Sequence, residues 1–212
     1  MAWPDFSDIR LRVRDKLNES TASFFSDAQI NRWINDAELD IATKGLCLES
    51  IQSKSTTANQ RTVSVTCIKV FHVEYIPATG DPIGLVKINP LLLGHGKTDG
   101  NTPQYWFKWG GVIGIEPKPT AIYNLNIYTS IIPTSEMALD TDEPEIPASF
   151  HDLIISFATQ RGFLRDNLFS LVTGLYMPYL SQLQKARNDV IARYSNIRKD
   201  VKIPDVVLYG GR

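Results

Sequence analysis

Residues 144–165, PEIPASFHDLIISFATQRGFLR, decide the fold. The stretch opens on prolines and acids and then becomes a densely apolar helix. Phe150, Leu153, Ile154, Phe157, Ala158 and Leu164 cover one broad face, and Ile155 and Phe163 widen it. A helix this apolar must be covered on most sides. No adjoining stretch can cover it alone, so its partners are two helices far upstream, near the N-terminus. Everything between them reads as an excursion that leaves a helical core and returns to it.

The upstream helices are well signalled. Asp5 follows Pro4 and can cap the first, in which Phe6, Ile9, Val13 and Leu17 recur at helical spacing. Arg10, Arg12, Arg14 and Lys16 lie mostly off that stripe; four bases on a short helix could meet phosphates, but the interleaved Asp8 and Asp15 weaken that reading. In the second helix Ser26-Asp27-Ala28-Gln29 reads as a capping box, with Phe25 and Ile30 at the staple positions. Its buried stripe is Ile30, Trp33, Ile34, Ala37 and Ile41, and Gly45 is expected to supply a left-handed C-terminal cap. Trp33 on this stripe reads as core rather than as a ligand platform.

From about Leu48 the pattern turns to β. Residues 51–56, 62–66 and 68–76 are rich in β-branched and aromatic side chains, and 83–88 reads as one further short strand. Asn89-Pro90 opens a turn or a single helical turn, and GHGKTDG at 94–100 reads as a loop. Residues 105–109 and 112–115 form a hairpin about Gly110-Gly111. Residues 122–131 alternate and make the last strand. Six or seven short strands are enough for a small sandwich or a partly open barrel.

A final helix spans about 169–197, with Gly174 and Pro178 predicting a kink or restart in its first half. Pro204 breaks it. The tail DVVLYGGR, 205–212, is apolar in its middle and too short to fold alone; it reads as a disordered end or as an arm that adds to a neighbour's sheet or fills its groove. The expected class is therefore α+β. A helical bundle core of two N-terminal and two C-terminal helices (1–48 and 144–200) carries an inserted small antiparallel β-sandwich or barrel (49–143) and an extended arm (201–212).

Global charge names no partner, since the net charge is -1. Its distribution says more. Between 134 and 152 lie Glu136, Asp140, Asp142, Glu143, Glu145 and Asp152 without a Lys or Arg; between 185 and 202 lie Lys185, Arg187, Arg193, Arg198, Lys199 and Lys202 against Asp189 and Asp200. These read as two solvated faces or as complementary contacts between copies or with a partner. Cys47 and Cys67 are too few for a disulfide scaffold and lack metal-site spacing, so both read as free thiols. No signal core opens the chain and no run is apolar enough for a membrane helix, which predicts a soluble protein.

The search for chemistry leaves no catalytic motif. Gly96-Lys97-Thr98 resembles the end of a phosphate loop, but Leu91 stands where the first glycine belongs. His72, His95 and His151 fall on a strand, a loop and a helix start, with no ligand-pair spacing. Asp140, Asp142, Glu143 and Glu145 lack the glycine and terminal glutamate of a calcium loop and read as acids opposing the dipole of the following helix. An enzyme built on His151 and nearby acids is the weakest reading. A glycan or ligand platform of Tyr105, Trp106, Phe107 and Trp109 is an alternative, but strand alternation sets Trp106 opposite the other three.

The chain resembles the head-to-tail adaptor (connector, neck) proteins of tailed bacteriophages. The resemblance runs in order over most of the chain: IRLRVRDKLNE, FSDAQINRWINDAELDI, TPQYWFKWGGVIGIEPKPT, YNLNIYTSIIPT and DEPEIPASFHDLIISFATQRGFLRDN. Within these, Ser26-Asp27, Trp33-Ile34-Asn35, Pro103-Gln104-Tyr105, Pro117-Lys118-Pro119, Ile146-Pro147 and His151-Asp152 match the family pattern, and all are fold signatures rather than catalytic groups. The resemblance implies a non-enzymatic virion protein without cofactors or metals. It would form a ring of twelve beneath the capsid portal, link the portal to tail, nozzle or tail-completion proteins, and line a channel that DNA passes through without sequence-specific binding. It would be assembled in the host cytoplasm and would not meet a membrane. Portal and subunit contacts would fall on Lys185, Arg193, Arg198, Lys199, Asp205, Val206, Val207, Leu208, Tyr209 and Arg212.

Overall fold

The structure, a computed structural model, describes residues 4–19, 21, 22, 24–92 and 102–200, with backbone alone at 92 and 196–200. The Gly96-Lys97-Thr98 segment, His95 and the 205–212 tail lie outside the described residues.

Helix α1 (Phe6–Lys16) starts where expected, with Asp5 Oδ1 accepting the Asp8 amide at 2.9 Å. Helix α2 (Asp27–Gly45) carries the Ser26/Gln29 capping box, and Gln29 Oε1 accepts the Ser26 amide at 3.2 Å. Its C-terminus differs from expectation. Gly45 is the last helical residue, and Leu46 takes the left-handed conformation at φ 57°. A Cβ on Gly45 would stand 3.1 Å from Leu183 Cδ1, a tight contact that the glycine avoids. Trp33 packs against the core from its margin: it is half-buried, set edge-on to Phe25 at 5.3 Å, and also lines a cleft of ≈ 480 Å³ with Arg32, Arg161 and Arg165.

A 3-10 turn (Ala148–Phe150) leads into α3 (His151–Arg165). Leu153, Ile154, Ile155, Phe157 and Ala158 are buried, Phe150 and Phe163 are half-buried, and Leu164 turns outward. Helix α3 touches α1, α2 and α4 (Phe169–Asp200), so Ile9, Ile34, Ile154 and Leu183 meet in one apolar core shared by all four helices. The expected restart in α4 does not occur, for the helix continues through Gly174 and Pro178. A proline ring collides with the carbonyl four residues back, here that of Gly174. A glycine can tilt that carbonyl without moving a side chain, and nothing lies within 4 Å of where its Cβ would be.

Eight strands are described: β1 (Glu49–Ser55), β2 (Thr62–Ser64), β3 (Lys69–Ile76), β4 (Ile83–Gly84), β5 (Val86–Lys87), β6 (Tyr105–Trp109), β7 (Val112–Glu116) and β8 (Asn124–Ser130). They form two four-stranded sheets, ordered β1-β8-β3-β4 and β2-β7-β6-β5, and neither closes into a barrel. The strand expected over 83–88 is two strands in different sheets, β4 on β3 and β5 on β6, with buried Leu85 at the crossing. The β5–β6 pair is parallel, so the strands are not all antiparallel as expected. Val70, Val73, Leu125 and Ile127 of one sheet and Trp106, Ile113 and Ile115 of the other share a second apolar core.

Candidate interaction surfaces

The C-terminal half of α4 carries the basic side chains singled out in the sequence. Tyr179, Leu183, Ala186 and Val190 are its buried stripe, which leaves Lys185, Arg187 and Arg193 exposed. Arg193 Nη2 donates to Glu49 Oε1 at 2.7 Å, and the Tyr194 hydroxyl donates to Glu49 Oε2 at 3.3 Å. The Tyr194 ring stacks flat on Phe71, with centroids 4.3 Å apart and planes 4° from parallel. Burial, reinforced by the Glu49 charge, pushes the Tyr194 phenol up to about 12. One acid and two rings thus pin the end of α4 to the first sheet. Burial, together with Arg187 and Lys87 nearby, holds Lys69 below the ordinary lysine range, so positive charge is crowded where α4 meets that sheet. Arg198 and Lys199 lie on the last turn of α4. Asp205, Val206, Val207, Leu208, Tyr209 and Arg212 are outside the described residues.

The acidic linker is largely spent on its own turns rather than on the α3 dipole, where Asp152 alone sits in the first turn. Asp142 accepts the Ala138 and Leu139 amides, both at 2.8 Å, and these bonds hold its carboxyl below the usual range. Glu145 accepts from the Thr134 amide and hydroxyl and from the Ser135 amide. Asp140 binds Arg10 at 2.8 Å. Arg14 is buried against Glu19 and Asp27, so two of the four bases of α1 are committed to acids and do not form a phosphate-facing row. Among the described residues no group of three His, Cys, Asp or Glu side chains could hold a metal ion.

The other sequence candidates scatter. His72 sits on β3 at 3.6 Å from Glu74, whereas His151 is buried with Nε2 3.2 Å from the Ile146 carbonyl. Trp106 is in the sheet core, Phe107 is buried over Gly114, and Trp109 is 62% exposed, so the four aromatics share no open face. Cys47 is buried; burial, helped by Glu49 and Glu38, pushes its thiol up to about 11. Cys67 is half-buried with Lys108 Nζ 3.5 Å from its sulfur. No described helix is long and apolar enough to cross a membrane.

Three features were not read from the sequence. Glu49 is the partner of Arg193 and Tyr194, and its only signal was an acid at the start of a β run. Exposed Leu168, Phe169, Leu171 and Met177 make an apolar surface at the α3–α4 turn. Among the described residues, strand β1 is an edge of its sheet. A comparison with curated proteins returns no match. The family model described as SU10 adaptor protein matches residues 4–201, which takes in every described element from α1 to α4. With that match over nearly all of its length, the chain belongs to the SU10 adaptor family of phage head-to-tail adaptor proteins.

Proposed function

We propose that the chain is a structural subunit of the virion neck, docking as a ring, expected to hold twelve copies, beneath the capsid portal. It links the portal to nozzle or tail-completion proteins and lines a channel that DNA passes through without sequence-specific binding. In this reading it has no enzymatic activity and no cofactor, and it assembles in the host cytoplasm. Residues 1–48 and 144–200 are the helical bundle, 49–143 the inserted β region, and 201–212 an arm. Lys185, Arg193, Arg198 and Lys199 together with 205–212 contact the portal and the neighbouring subunit.

The observation that carries this reading is α4. At 32 residues it is about 48 Å long. Among the described side chains its buried stripe runs to Val190, and the Arg193 and Tyr194 contacts hold it beyond that point. The remaining basic surface is free to meet a partner, and the crowded charge around Lys69 favours an acidic one. Electron microscopy of the protein mixed with its portal should show rings; a protein that stays monomeric and never binds portal overturns the proposal. Deleting 205–212 should leave the fold intact and weaken portal binding, and unchanged binding removes the arm from the interface.

A further inference from the structure

Strand β1 offers an unusually complete acceptor site. It pairs with β8 over seven residues on one side and, among the described residues, ends the sheet on the other. The Ile131 amide bonds the Leu48 carbonyl at 2.9 Å and the Thr56 amide bonds the Tyr123 carbonyl at 2.8 Å. In an antiparallel ladder bonded pairs alternate, so even-numbered positions face β8. The amides and carbonyls of Glu49, Ile51, Ser53 and Ser55 therefore point away from the sheet. No proline, bulge or run of charges guards this edge, and Lys54 is its one basic residue.

The two faces of β1 beside that edge differ. Ile51 is 57% exposed on the outer face. On the inner face Ser50 and Gln52 line a mostly apolar groove of ≈ 640 Å³, closed by Cys67, Ile68, Ile131 and Pro133. The charges at the ends of the strand are Glu49 and Lys54. The sequence beyond α4 supplies a matching segment, with Asp205, the apolar run Val206–Tyr209 read as VVLY, and Arg212.

We infer that residues 205–210 of a neighbouring copy add to β1 as an antiparallel strand, with Leu208 opposite Ile51. This rests on the ring reading above and names the contact that joins successive copies. In this register Asp205 faces Lys54, and Arg212 lies diagonal to Glu49. Val207 and Tyr209 stand on the same face as Gln52 and Ser50 and enter the groove. Leu208 covers Ile51. The bonded pairs are Ile51 with Leu208 and Ser53 with Val206, and the ladder stops at Ser55 because Pro204 has no amide hydrogen to give. A parallel strand would instead place Asp205 against Glu49 and bring Arg212 to the Lys54 end, pairing like charges.

Reach selects the neighbour over the same chain. The Tyr194 side chain is already at Glu49, and Pro204 must come to Ser55, ~20 Å away along the strand. Six helical residues and four extended ones span at most ~23 Å, and only if helix and tail were collinear with β1. A chain that must end its helix and turn onto the edge has no such slack. A donor arm and an acceptor edge on each copy are the two unlike patches that a cyclic assembly needs.

The test uses a fluorescent peptide of residues 203–212 titrated with the full-length protein, so it requires neither portal nor ring. Saturable binding is expected. An N-methyl group on the Leu208 amide of the peptide should weaken it at least about tenfold, whereas one on Val207, whose amide points away from β1, should not. Ile51→Pro in the protein removes no bond to β8 and should abolish binding with the circular dichroism spectrum unchanged. Absence of binding, or equal sensitivity to the two methyl groups, overturns the inference. In a Cys67→Ser background, Gln52→Cys with Val207→Cys should oxidise to covalent dimers and larger species; a crosslinked monomer overturns the neighbour assignment. Peptide binding without rings under the microscope would fail the ring and keep the edge, and rings without peptide binding would do the reverse.

Discussion

Replacing Gly114 with alanine puts a methyl group where the Phe107 ring already lies. The two residues face each other across β6 and β7, and a Cβ on Gly114 would stand 2.0 Å from Phe107 Cζ and 2.3 Å from Cε1. Carbon atoms pack at about 3.5–4.0 Å, so the ring must move by roughly 1.5 Å or leave its rotamer. Strand β7 is held between β2 and β6, which limits any backbone response. Overpacking of this kind costs about 1–3 kcal/mol, and expelling a buried Phe side chain forfeits up to about 3 kcal/mol. Alanine returns about 0.5–1 kcal/mol by restricting the unfolded chain. The net expectation for Gly114→Ala is a loss of ~2 kcal/mol, read as a lower urea midpoint with unchanged slope. Phe107→Ala opens the space the new methyl needs. The double variant should therefore lose less than the sum of the single variants, with a coupling of about 1–2 kcal/mol. A Gly114→Ala protein within about 0.5 kcal/mol of the parent, or strictly additive variants, would show that the ring does not rest on this glycine.

Arg14 is 4% exposed, with Nη2 2.7 Å from Asp27 Oδ1 and 3.0 Å from the Phe25 carbonyl and Nη1 3.3 Å from Glu19 Oε2; Arg14→Met removes these contacts, leaves Glu19 to the Phe24 and Phe25 amides, and should cost about 1–3 kcal/mol in a denaturant titration. Glu38 is 2% exposed and accepts the Glu145 and Ile146 amides, but burial outweighs those bonds and raises its carboxyl above the ordinary value of 4.5. The folded state then binds this proton more readily than the unfolded state. Its contribution is complete below pH 4.5 and is lost as pH rises through the raised value, so Glu38→Gln should flatten the fall in urea midpoint across that window. A thiol reagent at neutral pH should label Cys67 in the native protein and Cys47 only after unfolding, because Cys47 is buried with its thiol pushed up to about 11. Equal labelling rates would contradict the burial of Cys47.

What could be read from the sequence was whatever is written in short-range chemistry. The capping box at Ser26 and Gln29, the Asp5 cap, the hairpin at Gly110-Gly111 and the α3 stripe depend on neighbours a few residues apart, and each forms. The misread features are those decided by distant partners. Gly45 looked like a left-handed cap, but its lack of a side chain avoids a tight contact with Leu183, and the left-handed residue is Leu46. The 83–88 run looked like one strand because nothing in its composition marks Leu85 as the point where two sheets compete for it. Of the kink or restart expected at Pro178, the restart does not occur: the residue four positions earlier, whose carbonyl the ring meets, is Gly174, and the helix runs on.

The same division governs the candidate surfaces. The charge of Lys185 and Arg193 is visible in the sequence, but their difference is not: Lys185 faces solvent while Arg193 is held by an acid 144 positions away. Glu49 opens β1, so the ion pair that anchors α4 brings Arg193 and Tyr194 to the start of that strand. For an arm to close its own edge, at most ~23 Å of chain must cover ~20 Å of strand and also turn onto it, which leaves almost no slack. Under the inferred pairing each copy carries one donor arm and one acceptor edge, and a neighbouring copy satisfies both.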